Sequence, residues 1–140
     1  MEKLLELAID IATKAHAGQV DKGGLPYINH PTAVAAGVET TQQKIVAYLH
    51  DVIEDTDVTA DRLLAWGFPQ NIVNSLKTIT KQPGVSYEDY LAAVKSDETA
   101  RVVKISDIRH NMDISRIENP GPKDFARVEK YKKALAFLTE

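Results

Sequence analysis

The chain has 140 residues, the length of one ordinary domain, which is enough to bury a hydrophobic core without disulfides. It has no cysteine, which excludes a disulfide framework, a thiolate nucleophile and a thiolate metal site, and leaves His, Asp and Glu as the strong ligand candidates. The net charge of −3 argues against a nucleic-acid binder, although residues 101–140, with 9 basic and 6 acidic side chains, are locally positive and suited to a small anion.

Apolar residues recur with helical spacing along most of the chain, and no stretch alternates like a convincing β-strand. In chain order, helices are expected at residues 2–17, 28–38, 42–54, 58–68, 69–81, 86–96, 98–117 and 123–138. Thr59 and Ser86 are the expected N-caps of the fourth and sixth, and Gly67 is the expected stop of the fourth. The sequence therefore predicts an all-α fold, a compact bundle of about seven or eight short helices that forms a single domain over residues 1–140.

The first predicted helix carries charges between its apolar positions, so it lacks the continuous apolar segment of a signal peptide. No apolar run elsewhere approaches the roughly 20 residues needed to span a bilayer. We therefore expect a cytoplasmic protein that does not associate with membranes.

A turn-rich loop follows the first helix after Gly18. Its sequence, QVDKGGLPY, has adjacent glycines at positions 23 and 24, where backbone amides can approach a ligand closely, and a neighbouring cation in Lys22. An ordinary connection between two helices would have the same composition. His30 then stands at the start of the second predicted helix.

Four ionisable side chains are close together in the segment LHDVIEDT of the third predicted helix. His50 is four residues before Glu54, and Asp51 is four before Asp55, so each pair would share one side of a helix with Cβ atoms about 5–6 Å apart. Such groups are costly to desolvate among apolar residues unless they are paired or bind a metal. The spacing favours His50 and Asp51 as metal ligands, with Glu54 and Asp55 placed to orient or deprotonate a water. A salt-bridged helix end is the alternative.

Further ligands of such a site should come from other helices, because one helix rarely supplies a whole coordination sphere. His30 and Asp107 are the candidates. Asp107 lies in VKISDIRHNM, where Val103, Ile105 and Ile108 surround it, and a carboxylate in that setting needs a partner. Two histidines and two aspartates would offer nitrogen and oxygen ligands, which suit Mn²⁺, Fe²⁺, Co²⁺ or Zn²⁺ better than Ca²⁺.

Three segments, AHAGQVDKGGLPYINHPTAVA, AYLHDVIEDTDVT and VKISDIRHNM, occur in the order and with the spacing of a known family. They resemble the HD-superfamily hydrolase domain of the RelA/SpoT alarmone enzymes, and especially the small alarmone hydrolases, over nearly the whole chain. The resemblance implies an all-helical HD domain that hydrolyses the 3′-pyrophosphate of a small nucleotide, (p)ppGpp, to GDP or GTP and pyrophosphate. It implies one divalent metal ion, usually Mn²⁺, held by His30, His50, Asp51 and Asp107. It also implies that Glu54 and Asp55 activate the attacking water.

Basic and amide groups near these motifs are candidates for substrate binding. The candidates for holding phosphates are Lys22, the backbone amide of Gly23, Lys104 and Arg109, and Asn111 could bond to the ribose or to a phosphate. For Lys104, an ion pair with Asp107 is an equally good interpretation.

Two positions depart from the pattern of the family. Alarmone hydrolases usually have Arg-Lys-Ser where this chain has Asp21-Lys22-Gly23, so the chain lacks a guanidinium that could stack on a base. The usual DRLHNM is DIRHNM here, with Arg109 one place later, a shift that rotates a side chain by about 100° on a helix. The alternatives are therefore an HD hydrolase of another nucleotide phosphoester, such as an adenine alarmone or a nucleoside monophosphate, and a catalytically silent nucleotide-binding module.

Overall fold

The computed structural model describes residues 1–140, with the side chain of residue 116 excepted. Over these residues the chain forms nine α-helices and one 3-10 turn, Ile114–Arg116, with no β-strand. The helices are α1 (Glu2–Ala15), α2 (Asn29–Ala36), α3 (Thr41–Leu49), α4 (Val52–Asp55), α5 (Ala60–Ala65), α6 (Gln70–Ile79), α7 (Tyr87–Ser96), α8 (Glu98–Asn111) and α9 (Pro122–Thr139). The prediction of an all-α bundle of short helices is confirmed. Among the helices of residues 1–140, none combines the length and the apolar composition that crossing a membrane requires.

Local sequence signals set several helix ends. Thr59 and Ser86 act as the predicted N-caps of α5 and α7, because each side chain accepts a hydrogen bond from the backbone N–H three residues further on. Gly67 follows α5 with a φ of 104°, a conformation that favours glycine, and so ends the helix as predicted.

Most predicted helices are shorter than expected, and two of them break or end well inside the predicted range. The helix expected at residues 42–54 is divided into α3 and α4 at His50 and Asp51. His50 has a φ of −61° and a ψ of −30°, and Asp51 has a φ of −100° and a ψ of −5°. Counting these two pieces as one interrupted helix gives the eight helices of the prediction. The helix expected at residues 98–117 ends at Asn111, and Asp113 then caps the 3-10 turn by accepting a hydrogen bond from the backbone N–H of Ser115.

The hydrophobic core is built around α3 and α8. Helix α3 packs against α1, α2, α6 and α8, and α8 packs against α2, α3, α6, α7 and α9. The largest wholly buried side chains are aliphatic: Ile45, Leu49, Leu63, Ile72, Leu76, Ile108 and Leu138. Because α2, α3 and α8 each contact the other two, polar side chains on their inner faces meet at one interior point.

Candidate metal centre and adjoining cavity

Four polar side chains meet where α2, α3 and α8 converge. His30 is the second residue of α2, His50 and Asp51 occupy the break between α3 and α4, and Asp107 lies on α8. His30, His50 and Asp107 are only 3–4% exposed. The two histidines and two aspartates proposed as ligands from the sequence are therefore brought together by the fold.

The nitrogen and oxygen atoms of this cluster converge closely. The Nε2 atom of His30 lies 2.7 Å from Oδ1 of Asp107, and the Nε2 atom of His50 lies 3.2 Å from the same oxygen. Oδ2 of Asp51 is 3.1 Å from Nε2 of His50 and 3.9 Å from Nε2 of His30. Both imidazoles thus direct the same ring nitrogen towards carboxylate oxygens.

Outer hydrogen bonds orient each member of the cluster. His50 donates from Nδ1 to the backbone oxygen of Ala47 at 2.6 Å, so Nε2 is the ring nitrogen that faces the cluster. Nδ1 of His30 is 2.7 Å from Nδ1 of His110, so one of these rings donates to the other. The hydroxyl of Tyr27 donates to Oδ2 of Asp51 at 2.6 Å.

Asp107 has two further partners on its own helix. Lys104 donates from Nζ to Oδ2 at 2.9 Å, and Asn111 donates from Nδ2 to Oδ1 at 3.1 Å. These residues are three before and four after Asp107, so all three share one side of α8. The Asp107 carboxylate is therefore held in place within α8 itself.

Opposite charges balance inside the cluster. Burial raises the pKa of the Asp51 carboxyl, but the charge and hydrogen bond of His50 and the hydrogen bond from Tyr27 together outweigh it and lower this pKa to about 2. Burial opposes ionisation of Asp107 as well, yet Lys104 and His50 hold its pKa well below the usual range. Conversely, the two carboxylates overcome burial and raise the pKa of the His50 imidazole well above its usual range. Two buried anions thus depend on nearby positive charge.

This donor set fits a metal ion. One ligand atom from each of His30, His50 and Asp107 lies within 4.8 Å of the other two, and Oδ2 of Asp51 adds a fourth oxygen or nitrogen donor beside them. Imidazole nitrogen and carboxylate oxygen suit borderline divalent ions, and both imidazoles have their second nitrogen engaged as metal-ligating histidines do. The cluster can therefore bind a metal.

Glu54 and Asp55 lie on α4, next to this cluster, and both are exposed. Partial burial raises the pKa of each carboxyl, and repulsion from Asp51 raises it further. The charge of His50 acts on both in the opposite direction. Their role in activating water stays a prediction.

A cavity of about 430 Å³ opens beside His30. This volume lies in the range of small-molecule sites, which is roughly 300–1,000 Å³. Its walls come from the loop after α1, from α2, from the end of α8, from the residue after the 3-10 turn and from α9: Val20, Asp21, Lys22, Gly23, Tyr27, His30, Asn111, Ile117, Arg127 and Tyr131. The cavity therefore adjoins the metal-ligand cluster and shares a residue with it.

Three of the five predicted substrate contacts line this cavity, namely Lys22, Gly23 and Asn111. Lys104 does not line it, and its ammonium instead forms the ion pair with Asp107 that was the alternative interpretation. Arg109 is exposed and is absent from the described residues around the cavity. The structure thus assembles part of the predicted substrate-binding set.

Backbone amides of the glycine loop form hydrogen bonds within the loop itself. Oδ1 of Asp21 accepts hydrogen bonds from the backbone N–H groups of Gly23 at 2.8 Å and Leu25 at 3.0 Å, and the N–H of Gly24 donates to the Asp21 carbonyl oxygen. Gly24 has a φ of 81°, which this tight turn requires. The expectation that the Gly23 amide is open to a phosphate does not hold in this conformation. The aspartate at the position of the usual arginine shapes the loop that carries Lys22.

Arg127 on α9 is a cavity residue that the motifs did not identify. Asp124 orients it, because Oδ1 of Asp124 accepts a hydrogen bond from Arg127 at 2.7 Å while Oδ2 accepts from the backbone N–H of Gly121 at 2.8 Å. Partial burial lowers the pKa of Lys22, and repulsion from Arg127 lowers it further, so these two cations are near each other. The positive charge of residues 101–140 was the only sequence signal for this contact.

No family model matches the chain. It is 30% identical over 131 residues to a Mycobacterium leprae protein named probable GTP pyrophosphokinase, a match that covers 84% of this chain and 16% of the relative. It is 32% identical over 117 residues to guanosine-3′,5′-bis(diphosphate) 3′-pyrophosphohydrolase of Haemophilus influenzae, covering 73% of this chain and 17% of that protein.

A third relative and one solved structure agree with these matches. The chain is 30% identical over 125 residues to the bifunctional (p)ppGpp synthase/hydrolase SpoT of Escherichia coli K12, covering 79% of this chain and 18% of SpoT. The chain thus spans 16–18% of the length of these three curated relatives. The solved structure, of a metazoan ortholog of SpoT described as hydrolysing ppGpp, has a TM-score of 0.78 at 17% identity and covers 96% of this chain and 84% of its own.

The helical fold, the His-Asp cluster and the sequence relatives together support an HD-type protein. Within that class, the sequence matches identify the chain as RelA/SpoT hydrolase-like, as its motifs predicted.

Proposed function

We propose that the chain is a metal-dependent phosphohydrolase that removes the 3′-pyrophosphate of (p)ppGpp, giving GDP or GTP and pyrophosphate. One observation carries this proposal: the buried cluster of His30, His50, Asp51 and Asp107 adjoins a cavity with two cationic side chains. A metal-ligand set therefore lies next to a space where a polyphosphate can bind. The names of the Haemophilus influenzae and Escherichia coli relatives support (p)ppGpp as the substrate.

The proposed metal ligands are His30, His50, Asp51 and Asp107, and the proposed ion is a single Mn²⁺. Their nitrogen and oxygen donors suit this ion, and the motif resemblance favours it over other divalent ions. When bound, a divalent ion supplies Lewis acidity, which offsets negative charge on phosphoryl oxygens and favours ionisation of water.

The proposed base is a carboxylate of α4. Glu54 and Asp55 both have raised pKa values, which makes each carboxylate a better proton acceptor than an ordinary one. In the reaction, the water oxygen forms a bond to the phosphorus attached to the ribose 3′ oxygen, and the bond between that phosphorus and the 3′ oxygen breaks. The water proton goes to Glu54 or Asp55, a solvent water protonates the 3′ oxygen as the nucleotide leaves, and the carboxylic acid then returns its proton to solvent.

The cavity residues would bind the remainder of the nucleotide. Lys22 and Arg127 offer positive charge to phosphates, and Arg127 can also bind two phosphate oxygens at once. Asn111 and Tyr131 offer polar groups for the ribose or the base. His30 belongs both to the cavity wall and to the metal-ligand cluster, so a phosphate held by these cations would lie next to the cluster.

The test is pyrophosphate and nucleotide release from ppGpp, pppGpp and pppApp, with Mn²⁺ or with a chelator. The proposal predicts Mn²⁺-dependent release of pyrophosphate from ppGpp and its loss in Asp51→Asn. Asp61→Asn is the matched control, because Asp61 is an exposed carboxylate on α5 and its loss should leave the activity unchanged. The absence of any release by wild-type protein that binds Mn²⁺ would refute the proposal.

The adenine alarmone is the second candidate substrate, because Asp21 lines the cavity where the family usually has an arginine. If the enzyme hydrolyses pppApp faster than both guanosine nucleotides, the adenine alarmone replaces (p)ppGpp as the preferred substrate. If the protein binds these nucleotides with Mn²⁺ present but hydrolyses none of them, the silent nucleotide-binding module is the better description.

A further inference from the structure

Helices α2 and α8 are in close contact at Gly37 and Ser106. Gly37 is the C-cap of α2, and Ser106 is a buried residue of α8. The Ser106 hydroxyl donates a hydrogen bond of 2.9 Å to the backbone oxygen of Val34, one turn before Gly37. This is a bond between the two helices that carry His30 and Asp107.

The space beside the backbone of Gly37 is occupied by the Ser106 hydroxyl. A Cβ atom added there would clash with Oγ of Ser106, at a separation that real Cβ contacts essentially never have. The backbone of Gly37 has a φ of −88° and a ψ of 2°, which other residues adopt without strain. The hydroxyl of Ser106 therefore occupies the volume that a side chain at position 37 would fill.

The residues of this contact are close in sequence to two of the metal ligands, His30 and Asp107. Val34 is one turn after His30 on α2, and Ser106 immediately precedes Asp107 on α8. Across the same pair of helices, Nε2 of His30 lies 2.7 Å from Oδ1 of Asp107. A change in the distance between the helices at Ser106 must therefore also displace the imidazole from the carboxylate.

We propose that Gly37 and Ser106 are positioning residues, which set the separation of α2 and α8 so that His30 and Asp107 can bind one metal ion together. This inference rests on the proposed function, since it assumes that the cluster holds that ion. A methyl group at position 37 either rotates the Ser106 hydroxyl away from Val34 or pushes the helices apart. Both outcomes loosen the alignment of the two ligands.

The experiment measures Mn²⁺ affinity by isothermal titration calorimetry and the free energy of unfolding by urea, for the same set of proteins. Gly37→Ala is expected to weaken Mn²⁺ binding on the order of 10- to 100-fold, the loss typical of disturbed partners of metal ligands. Ser106→Ala, which removes one hydrogen bond and adds no clash, is expected to weaken it by about two- to fivefold.

The double variant tests whether the methyl group at position 37 weakens metal binding through Ser106. In Gly37→Ala with Ser106→Ala, the nearest atoms to the new methyl group are the Cβ atom of residue 106 at 3.4 Å and the Val34 oxygen at 3.5 Å. These are ordinary contacts, so the affinity should return to that of Ser106→Ala alone. Gly121→Ala is the matched glycine control, because a Cβ atom at position 121 has no neighbour within 4 Å among the described residues.

The outcomes separate this inference from the proposed function. Wild-type Mn²⁺ affinity in Gly37→Ala would overturn the inference even if its stability fell, because the contact would then serve the fold alone. A double variant as weak as Gly37→Ala would also overturn it, since the methyl group would not act through Ser106. If Gly37→Ala does not fold, unchanged affinity in Ser106→Ala overturns it. Wild-type protein that binds no Mn²⁺ refutes the proposed metal site itself, and the inference with it.

Discussion

Replacing Lys104 with methionine would show whether its ammonium group serves the metal-ligand cluster or the substrate. Nζ of Lys104 lies 2.9 Å from Oδ2 of Asp107, and the two side chains are 16% and 6% exposed. With an effective dielectric constant of about 20, their attraction is about 6 kcal/mol. Part of this is offset by the cost of desolvating both groups, and removing one partner of a buried pair typically costs about 3–5 kcal/mol. Asp107 keeps Asn111 and both histidines, so we expect a loss near the lower end, about 3 kcal/mol.

The assay is urea unfolding of Lys104→Met at pH 7, in chelator and in saturating Mn²⁺. In chelator, the free energy of unfolding should fall by the full amount of about 3 kcal/mol. In Mn²⁺ it should fall by less, because a cation bound by Asp107 compensates the charge of its carboxylate in place of the ammonium group. Lys77→Met is the control, since Lys77 is exposed on α6 and should change the free energy of unfolding by no more than about 0.5 kcal/mol. Wild-type stability in chelator, together with a raised KM for ppGpp, would refute this reasoning and make Lys104 a substrate contact.

Two further predictions concern the cavity and the core. Arg127→Met should raise the KM for ppGpp about tenfold through the loss of a charge-assisted hydrogen bond and leave Mn²⁺ affinity unchanged. Arg62→Met, at an exposed arginine of α5, is its control, and an unchanged KM in Arg127→Met would contradict the prediction. Tyr90 donates to the backbone oxygen of Ile79 at 2.5 Å, and burial raises its pKa to about 12. Between about pH 10 and 12 the unfolded chain loses this proton while the folded chain keeps it, so the wild type should lose about 2–3 kcal/mol relative to Tyr90→Phe over that range. A stability difference that stays constant with pH in guanidinium unfolding would exclude this linkage.

The helical fold was predictable because its cause is local. Apolar spacing indicated the number and order of the helices, and short side-chain signals such as Thr59 and Ser86 marked their starts. The break between α3 and α4 was not predictable from spacing, because residues 42–54 keep a helical pattern across His50 and Asp51. The early end of α8 at Asn111 has a similar origin, since the apolar pattern continues through Ile114 and Ile117 although the backbone turns.

The candidate site was predictable only where motifs marked it. The histidines and aspartates carried a recognisable pattern, and the fold brings them within contact distance. Arg127 carried none, because its place beside the cavity depends on how α9 packs and on its bond to Asp124. Asp21 shows the opposite case. Its departure from the motif was visible in the sequence, but the hydrogen bonds that its carboxylate accepts from the loop amides were not predictable.

The cluster is ordered by two different kinds of constraint. Asp107 is oriented within one helix, because Lys104 and Asn111 on the same side of α8 donate to its two oxygens. His30 belongs to α2, and its distance from Asp107 depends on the packing of two helices that are remote in sequence. A helical segment can form the first arrangement without its neighbours, whereas the second exists only in the assembled core. Variants that loosen the contact at Ser106 should therefore displace the imidazole and leave the carboxylate in place, so that metal affinity falls before the hydrogen bonds of Asp107 within α8 are lost.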